Sequence, residues 1–253
     1  MNADRVMERE ARDTTAAIVV VGNEILSGKI ADTNAAFLAE ELRKLGVALR
    51  RIVVIPDEIE VIAATVREYR SAFNVLFTSG GVGPTHDDVT IEGVARGLDR
   101  PVVRNAFLVD KMREYFGDAL TPARLKMAEA PAGAELIFGG QFNFPTLCVD
   151  NIYILPGIPE LFRDKFEAIK HRFVGRPFHL RVLYTQEVES TLAESLNQTL
   201  AAFPELELGS YPKLNNPEYR VRVTLESKDR EYVDRALAHL VSLLPPQAVV
   251  RTE

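Results

Sequence analysis

The amino-acid sequence reads as two consecutive α/β units: a three-layer one, with a mainly parallel sheet covered by helices on both faces, and a smaller ferredoxin-like βαββαβ one. Three observations lead there. From Ala16 onward, β-branched runs alternate with helical periods, the grammar of strands joined by crossover helices. The strand-like runs end in turns bearing Gly, Pro or Asp, where a chain passes from strand to helix. After Gly175-Arg176-Pro177 the order changes to strand, helix, strand, strand, helix, strand. A length of 253 residues suits one large domain or a medium and a small one, at about 150 residues per domain. The expected boundaries are a disordered tail over 1–14, a first domain over 15–176 and a second over 177–253.

Asp4, Arg5, Glu8, Arg9, Glu10, Arg12 and Asp13 alternate in sign without an apolar stretch, so the start resembles a frayed tail and not a secretory leader. Strands are predicted at 16–21, 47–55, 74–78 and 151–155. Between the first two, Leu38, Leu42 and Leu45 repeat at helical spacing; Asp32, Thr33 and Asn34 offer caps before them, and Gly46 offers a left-handed stop. Ile59, Ile62, Ala63 and Val66 form the next helical face, and further helices fit 89–98, 105–116 and 159–173. Residues 117–150, rich in Gly and Pro, read as irregular, with a hairpin covering a sheet edge. In the second unit Phe178, Leu180, Val182 and Tyr184 alternate as a strand, and Leu192, Leu196, Leu200 and Phe203 make a helical stripe. Strands at 206–211 and through Tyr219, Val221, Val223 and Leu225, a helix through Val233, Ala236, Leu237 and Leu240, and a strand at 247–251 complete it. So small a core is marginal alone, so docking on the first domain is expected.

Composition narrows the function classes. Apolar residues at 47% and charged residues at 26% are ordinary for a folded chain. Thirty basic against 36 acidic side chains leave a net charge of −6, which gives no field to attract a polyanion. The second unit offers only Arg220, Arg222 and Tyr211 toward an RNA-binding face, so nucleic acid is not expected as a partner. No apolar run approaches the roughly 18 residues of a membrane span, which points to a cytoplasmic protein without a membrane partner. The single cysteine, Cys148, excludes an intrachain disulfide and a multi-cysteine zinc site, and its apolar neighbours make it a buried structural thiol. Neither His-Glu-x-x-His nor Gly-x-Ser-x-Gly occurs, which disfavours a histidine-ligated zinc enzyme and an acyl-serine mechanism.

The sharpest local signal runs from Thr78 through Gly80-Gly81-Val82-Gly83-Pro84-Thr85-His86 to Asp87-Asp88, between a buried strand and a helix. Its glycines let successive N–H groups point at one centre, an anion nest completed by a helix N-terminus, with phosphate as the natural ligand. A plain βα turn is the alternative. Asp87 and Asp88 beside a phosphate would repel it unless a divalent cation lay between them, although either is also a good helix cap. Gly22-Asn23-Glu24 and Pro56-Asp57-Glu58 end the first two strands, so Glu24 and Asp57 open on the same carboxyl edge of a parallel sheet. Leu155-Pro156-Gly157-Ile158-Pro159-Glu160 forms another strand-to-helix turn, in which Gly157 suits close approach to a phosphate or ribose.

Together these residues resemble the molybdopterin-binding, MoaB/Mog-like domain superfamily, and within it the N-terminal regions of CinA proteins and animal FAD synthases. The matching stretches are Gly22 to Gly28, Asp32-Thr33-Asn34, Val54 to Glu58, Gly80 to Thr90, Leu155 to Glu160 and Gly209 to Pro212. The resemblance implies a three-layer α/β domain and a divalent-metal-dependent nucleotide pyrophosphatase that hydrolyses ADP-ribose or FAD to release AMP. By position, Asp57 and Asp88 match the superfamily's functional aspartates, while Glu24 and Asp87 join them as metal-site candidates by geometry. Gly80, Gly81, Gly83, Pro84, Thr85 and Gly157 are the expected binding residues. The implied cofactor is Mg, Mn or Co, with K+ as a further cation, and the implied partners are a small-molecule nucleotide or pterin and further copies of the chain, in a homo-oligomer (dimer or trimer). Molybdopterin adenylyltransferases of the superfamily carry Gly-Gly-Thr-Gly where this chain has Gly80-Gly81-Val82-Gly83, and Val82 removes that hydroxyl. Adenylyl transfer to molybdopterin, or non-catalytic binding, is therefore the alternative. The sequence ends at Glu253, so neither the amidase of full-length CinA nor the adenylyltransferase of FAD synthase is expected of it.

Overall fold

Residues 13–142 and 144–253 are described by the computed structural model. The tail expected over 1–14 lies outside that range up to residue 12, but Thr14 already belongs to the fold, because its carbonyl accepts from Ala48 N at 2.9 Å. The larger unit ends at Gly175. Its strands are β1 (Thr15–Val21), β2 (Ala48–Ile55), β3 (Val75–Ser79), β4 (Val102–Arg104), β5 (Glu129–Pro131), β6 (Glu135–Ile137), β7 (Thr146–Val149) and β8 (Ile152–Leu155). Its helices are α1 (Asn23–Leu26), α2 (Asn34–Lys44), α3 (Ile59–Ala72), α4 (Thr90–Gly97), α5 (Ala106–Phe116), α6 (Pro122–Lys126) and α7 (Pro159–Ile169).

Six strands form one sheet in the order β2-β1-β3-β8-β7-β6. The first four are parallel, and β7 and β6 extend the sheet antiparallel. The central β1 is apolar at nearly every position because both its faces are covered. Ala17, Val19 and Val21 pack with Ile62 and Val66 of α3 and Val94 of α4. Ala16, Ile18 and Val20 pack with Leu38 and Leu42 of α2 and Phe162 and Phe166 of α7. Phe77 on β3 is fully buried among Tyr153, Phe166 and Phe173, and truncating it to Ala would cost about 3–5 kcal/mol. Strand order reverses between β1 and β3, the place where open α/β sheets leave a crevice beyond the strand ends.

Several local expectations are corrected. Residues 117–150 are not irregular: they hold α6, β5, β6 and β7. These elements are three to five residues long, too short for a period to show in sequence. The edge expected to be covered by a hairpin is instead extended by β7 and β6 themselves, and Arg172 ties β6 in place with two bonds to the Glu135 carboxylate, at 2.7 and 3.1 Å. The helix expected over 159–173 stops at Ile169 and continues as one 3-10 turn, Lys170–Arg172. Of the three offered caps of α2, Asp32 does the work, its Oδ1 accepting from Asn34 N and Ala35 N at 2.9 and 3.2 Å. Cys148 is buried, as expected, and burial pushes its thiol up from the ordinary range.

The smaller unit, Arg176–Glu253, contains β9 (His179–Thr185), α8 (Glu189–Ala202), β10 (Glu207–Pro212), β11 (Val221–Ser227), α9 (Arg230–Ser242) and β12 (Val249–Thr252). Its sheet runs β10-β11-β9-β12 with all neighbours antiparallel, which is the split βαβ topology. Leu183, Val221, Val223 and Leu225 of the sheet bury against Leu192 and Leu196 of α8 and Val233 and Leu240 of α9. Asp229 caps α9 by accepting from Tyr232 N at 3.1 Å. Gly209-Ser210-Tyr211-Pro212 lies inside the edge strand β10, as the expected strand at 206–211 requires, with Tyr211 paired to Arg222 and its ring 5.1 Å from that guanidinium. Among the described residues no helix is long and apolar enough to cross a membrane.

Candidate functional site

The carboxyl edge of the six-stranded sheet gathers the site. β1, β2, β3 and β8 all end there, and because β6 runs antiparallel to β7, itself antiparallel to β8, the segment joining β6 to β7 opens on that edge as well. A cavity of about 1490 Å³ lies within the larger unit and is lined by the Gly80–Pro84 loop, by Gly157 and by parts of the 138–145 segment.

The glycine loop is shaped by close approach. Gly80 has φ +99 and a Cβ there would sit 2.3 Å from Val21 O; Gly81 has φ +65 and its Cβ would meet Thr90 Oγ1 at 2.4 Å. Only a residue without a side chain fits either position. Thr90, fully buried at the start of α4, donates its hydroxyl to Gly80 O at 2.8 Å and its N–H to Gly81 O at 2.9 Å. The first N–H of α4 is therefore spent on holding the loop. Gly80 N donates to Leu155 O at 3.2 Å. The N–H groups of Gly81, Val82 and Gly83 bond to no described residue, leaving three consecutive donors on a loop that lines the cavity.

The carboxylates divide into two sets. Asp88 lines the cavity; its Oδ2 accepts from Thr85 N at 2.8 Å and from the Thr85 hydroxyl, closing the loop back on itself. Glu24 also lines the cavity, folded over Gly22 so closely that a Cβ there would meet its Oε1 at 2.5 Å. Asp57 does not line it: Oδ2 accepts from Asn23 N at 2.7 Å and ties the end of β2 to the end of β1. Asp87 does not line it either. Thr85 supports Asp88 without lining the cavity. None of these aspartates caps α3 or α4, which have no side-chain cap bond at their N-termini.

Three contributors were not among the expected site residues. Asn34 is buried and lines the cavity; its Nδ2 donates to Ser79 Oγ at 3.0 Å and Gly157 O at 2.8 Å, which joins the start of α2 to the end of β3 and the turn after β8, while its Oδ1 has no partner. Lys126, at the end of α6, lines the cavity and donates to Thr85 O at 3.2 Å. Lys165 is buried on α7, donates to Phe142 O at 2.8 Å and lies 3.4 Å from Asp164. Burial lowers its pKa below the ordinary lysine value. Asn34 follows a capping Asp in a quoted motif, which is the one signal that marks it; the lysines carry none.

Residues 17–176 match the family model of the probable molybdopterin binding domain. The chain belongs to that family. Residues 177–253 match the model of the FAD synthase middle domain. A protein of Archaeoglobus fulgidus is 35% identical over 227 residues, covering 90% of this chain and 96% of its own length. A probable FAD synthase of Caenorhabditis elegans is 33% identical over 258 residues, covering 91% of this chain and 50% of its own length, so the chain spans about half of that relative. The solved structure of CinA from Thermoplasma acidophilum, a protein of unknown function, is 32% identical with a TM-score of 0.59, over 64% of this chain and 99% of its own. The glycine loop, Asp57, Asp88 and Gly157 all lie within the molybdopterin binding domain, and the Gly209 to Pro212 motif lies within the middle domain.

Proposed function

We propose that the chain is a divalent-cation-dependent nucleotide pyrophosphatase that cleaves ADP-ribose or FAD and releases AMP. The observation that carries this reading is the run of unpaired amides at Gly81, Val82 and Gly83, in one cavity with Asp88 and Glu24. Its likeness to FAD synthases supports a nucleotide ligand.

Among the described residues no three His, Cys, Asp or Glu side chains gather as a preformed metal cage. The residues present fit a different arrangement, in which one or two carboxylates and the ligand's own phosphates share a hard cation. Asp88 and Glu24 would hold it. Bound Mg, Mn or Co would neutralise phosphate charge and polarise the reacting P–O bonds, with K+ as an accessory cation. The three amides hold non-bridging phosphate oxygens, and Lys126 adds positive charge beside the loop. Asp88 Oδ2 is engaged by Thr85, so Oδ1 is the oxygen left to meet the cation. Asp57 acts through Asn23 as a positioning residue, and Asp87 stands outside the site as a supplementary charge. A cytoplasmic dimer or trimer completes the proposal, and light scattering of the purified chain tests the assembly.

Incubation with ADP-ribose and with FAD, each with Mg, Mn and Co and with or without K+, is expected to yield AMP. No AMP in any combination would overturn the reading. Because the family is that of a molybdopterin binding domain, transfer of AMP from ATP to molybdopterin is the outcome that would replace hydrolysis by the alternative.

A further inference from the structure

The segment between β6 and β7 presents aromatic rings to the cavity and is held in place by a device with no other evident use. Phe138, Phe142 and Phe144 all line the cavity and remain 54%, 46% and 36% exposed. Phe107, at the start of α5, lines it too and meets Phe138 edge to face at 5.3 Å. Exposed aromatic side chains grouped in a cavity mark a ligand surface more often than a solvated one.

The backbone beneath them is clamped. Asp164 accepts from Gln141 N at 2.6 Å and Phe142 N at 3.5 Å, and Lys165 donates to Phe142 O. A Cβ at Gly140 would fall 2.2 Å from Asp164 Oδ2, so the chain passes directly over the carboxylate. Burying a lysine and an aspartate is costly unless both are paired and hydrogen-bonded, and here the return is a fixed position for the segment that carries Phe142.

Distance along the sheet edge then specifies the ligand. From β3, which carries the glycine loop, to β7 and β6 is two to three strand steps, about 10–14 Å at the usual spacing. That is the span of a nucleoside and not of a bare phosphate. We infer that Phe138, Phe142 and Phe144 form a stacking subsite for the planar heteroaromatic ring of a nucleotide whose phosphates lie on Gly81-Val82-Gly83. The inference rests on the reading of the glycine loop as a phosphate site. It adds that ring-bearing phosphates are selected over ring-free ones, and that Asp164 and Lys165 are positioning residues for that selection.

The chain contains no tryptophan, so Phe142→Trp supplies a single tryptophan, excited apart from the tyrosines, at an exposed position. Calorimetry with ADP and with inorganic pyrophosphate is run on the wild type and on the Phe138→Ala/Phe142→Ala variant, with thermal melts to establish that each is folded. ADP is expected to bind the wild type about ten-fold or more tightly than pyrophosphate, and the double variant is expected to lose that preference while keeping its pyrophosphate affinity. Emission of the Phe142→Trp chain should change with ADP and not with pyrophosphate. Unchanged ADP affinity in the double variant, unchanged emission at saturating ADP, or no binding of either compound each overturns the inference. The two readings fail separately: stacking of ADP without AMP release from any dinucleotide sinks the pyrophosphatase alone, and undiminished AMP release by the double variant sinks the stacking subsite alone.

Discussion

Two segments on one edge of the same sheet, the Gly80–Asp88 loop and the 138–145 segment, are shaped by opposite means. The first is held by atoms that are missing: without a Cβ at Gly80 and Gly81 the backbone can lie against Val21 O and Thr90, and the amides of Gly81, Val82 and Gly83 bond to no described residue. The second is held by atoms added beneath it, the half-buried Asp164 and the buried Lys165, and it presents side chains. Backbone donors suit a ligand part that is the same in many compounds, such as phosphate, whereas side chains suit the part that differs. Perturbing the first segment should therefore harm fold and chemistry together, and perturbing the second should change which ligand is preferred.

The largest effect is expected from Gly80→Ala. A methyl group 2.3 Å from a backbone oxygen, at φ +99, cannot be relieved by turning a side chain, so about 3 kcal/mol or more of stability should be lost. Urea unfolding measures it, and a loss under about 1 kcal/mol would mean that the loop has room the structure does not give it. Next comes Asp88→Asn. Asn keeps an oxygen for Thr85, so the fold should hold, while turnover falls about 100-fold, equivalent to about 2.7 kcal/mol in the barrier. Wild-type turnover with an unchanged melt would remove Asp88 from the chemistry.

The clamp is expected to contribute less. Lys165→Met removes the buried partner of the pair but leaves Asp164 its Gln141 amide, so about 1–2 kcal/mol should go, read as faster hydrogen exchange at Gln141 and Phe142. Its pH dependence has a defined sign. Burial works to raise the Asp164 carboxyl, but the Gln141 and Phe142 amides and the Lys165 ammonium bring it below the ordinary carboxylate range. It thus contributes stability above the ordinary value of about 4, lost as pH falls through the lower native value. Lys165 is shifted down, so the native state sheds its proton first and stability rises as pH climbs toward the ordinary lysine value. Wild type should gain stability on that alkaline limb and Lys165→Met should not; equal slopes would show that Lys165 is not buried.

How legible each segment was follows from the same contrast. The three-layer sheet was readable because β1, buried on both faces, must be apolar throughout, and because α2, α3 and α7 are long enough to show a period. The glycine loop was readable because close approach demands a particular residue type. The aromatic segment was not: β6 and β7 span three and four residues, and the ion pair that fixes the segment sits on α7, more than 20 positions away in sequence. The same gap explains the carboxylates. Asp57 and Asp88 look alike as Asp residues beside a turn, but only the folded chain separates the one that faces the cavity from the one that ties two strand ends together.

That separation yields the smallest expected effect and the sharpest use of it. If Asp57 serves by accepting from Asn23 N, Asp57→Asn retains an oxygen at the same place, and only the charge assistance of a 2.7 Å bond is lost. Turnover should then fall less than about ten-fold and stability by about 0.5 kcal/mol. Asp57→Ala removes the acceptor itself and leaves the Asn23 amide without its partner, so it should cost more than the Asn variant on both measures, with Glu24 displaced along with α1. If instead Asp57 holds a cation, charge is what counts, and Asn and Ala should be equally damaging, on the scale of Asp88→Asn. The ratio of the Asn to the Ala variant therefore distinguishes a positioning carboxylate from a ligating one without any assumption about which metal is used: a ratio near one with both rates down 100-fold would return Asp57 to the reacting centre, and a clear advantage for Asn would keep it on the strand ends.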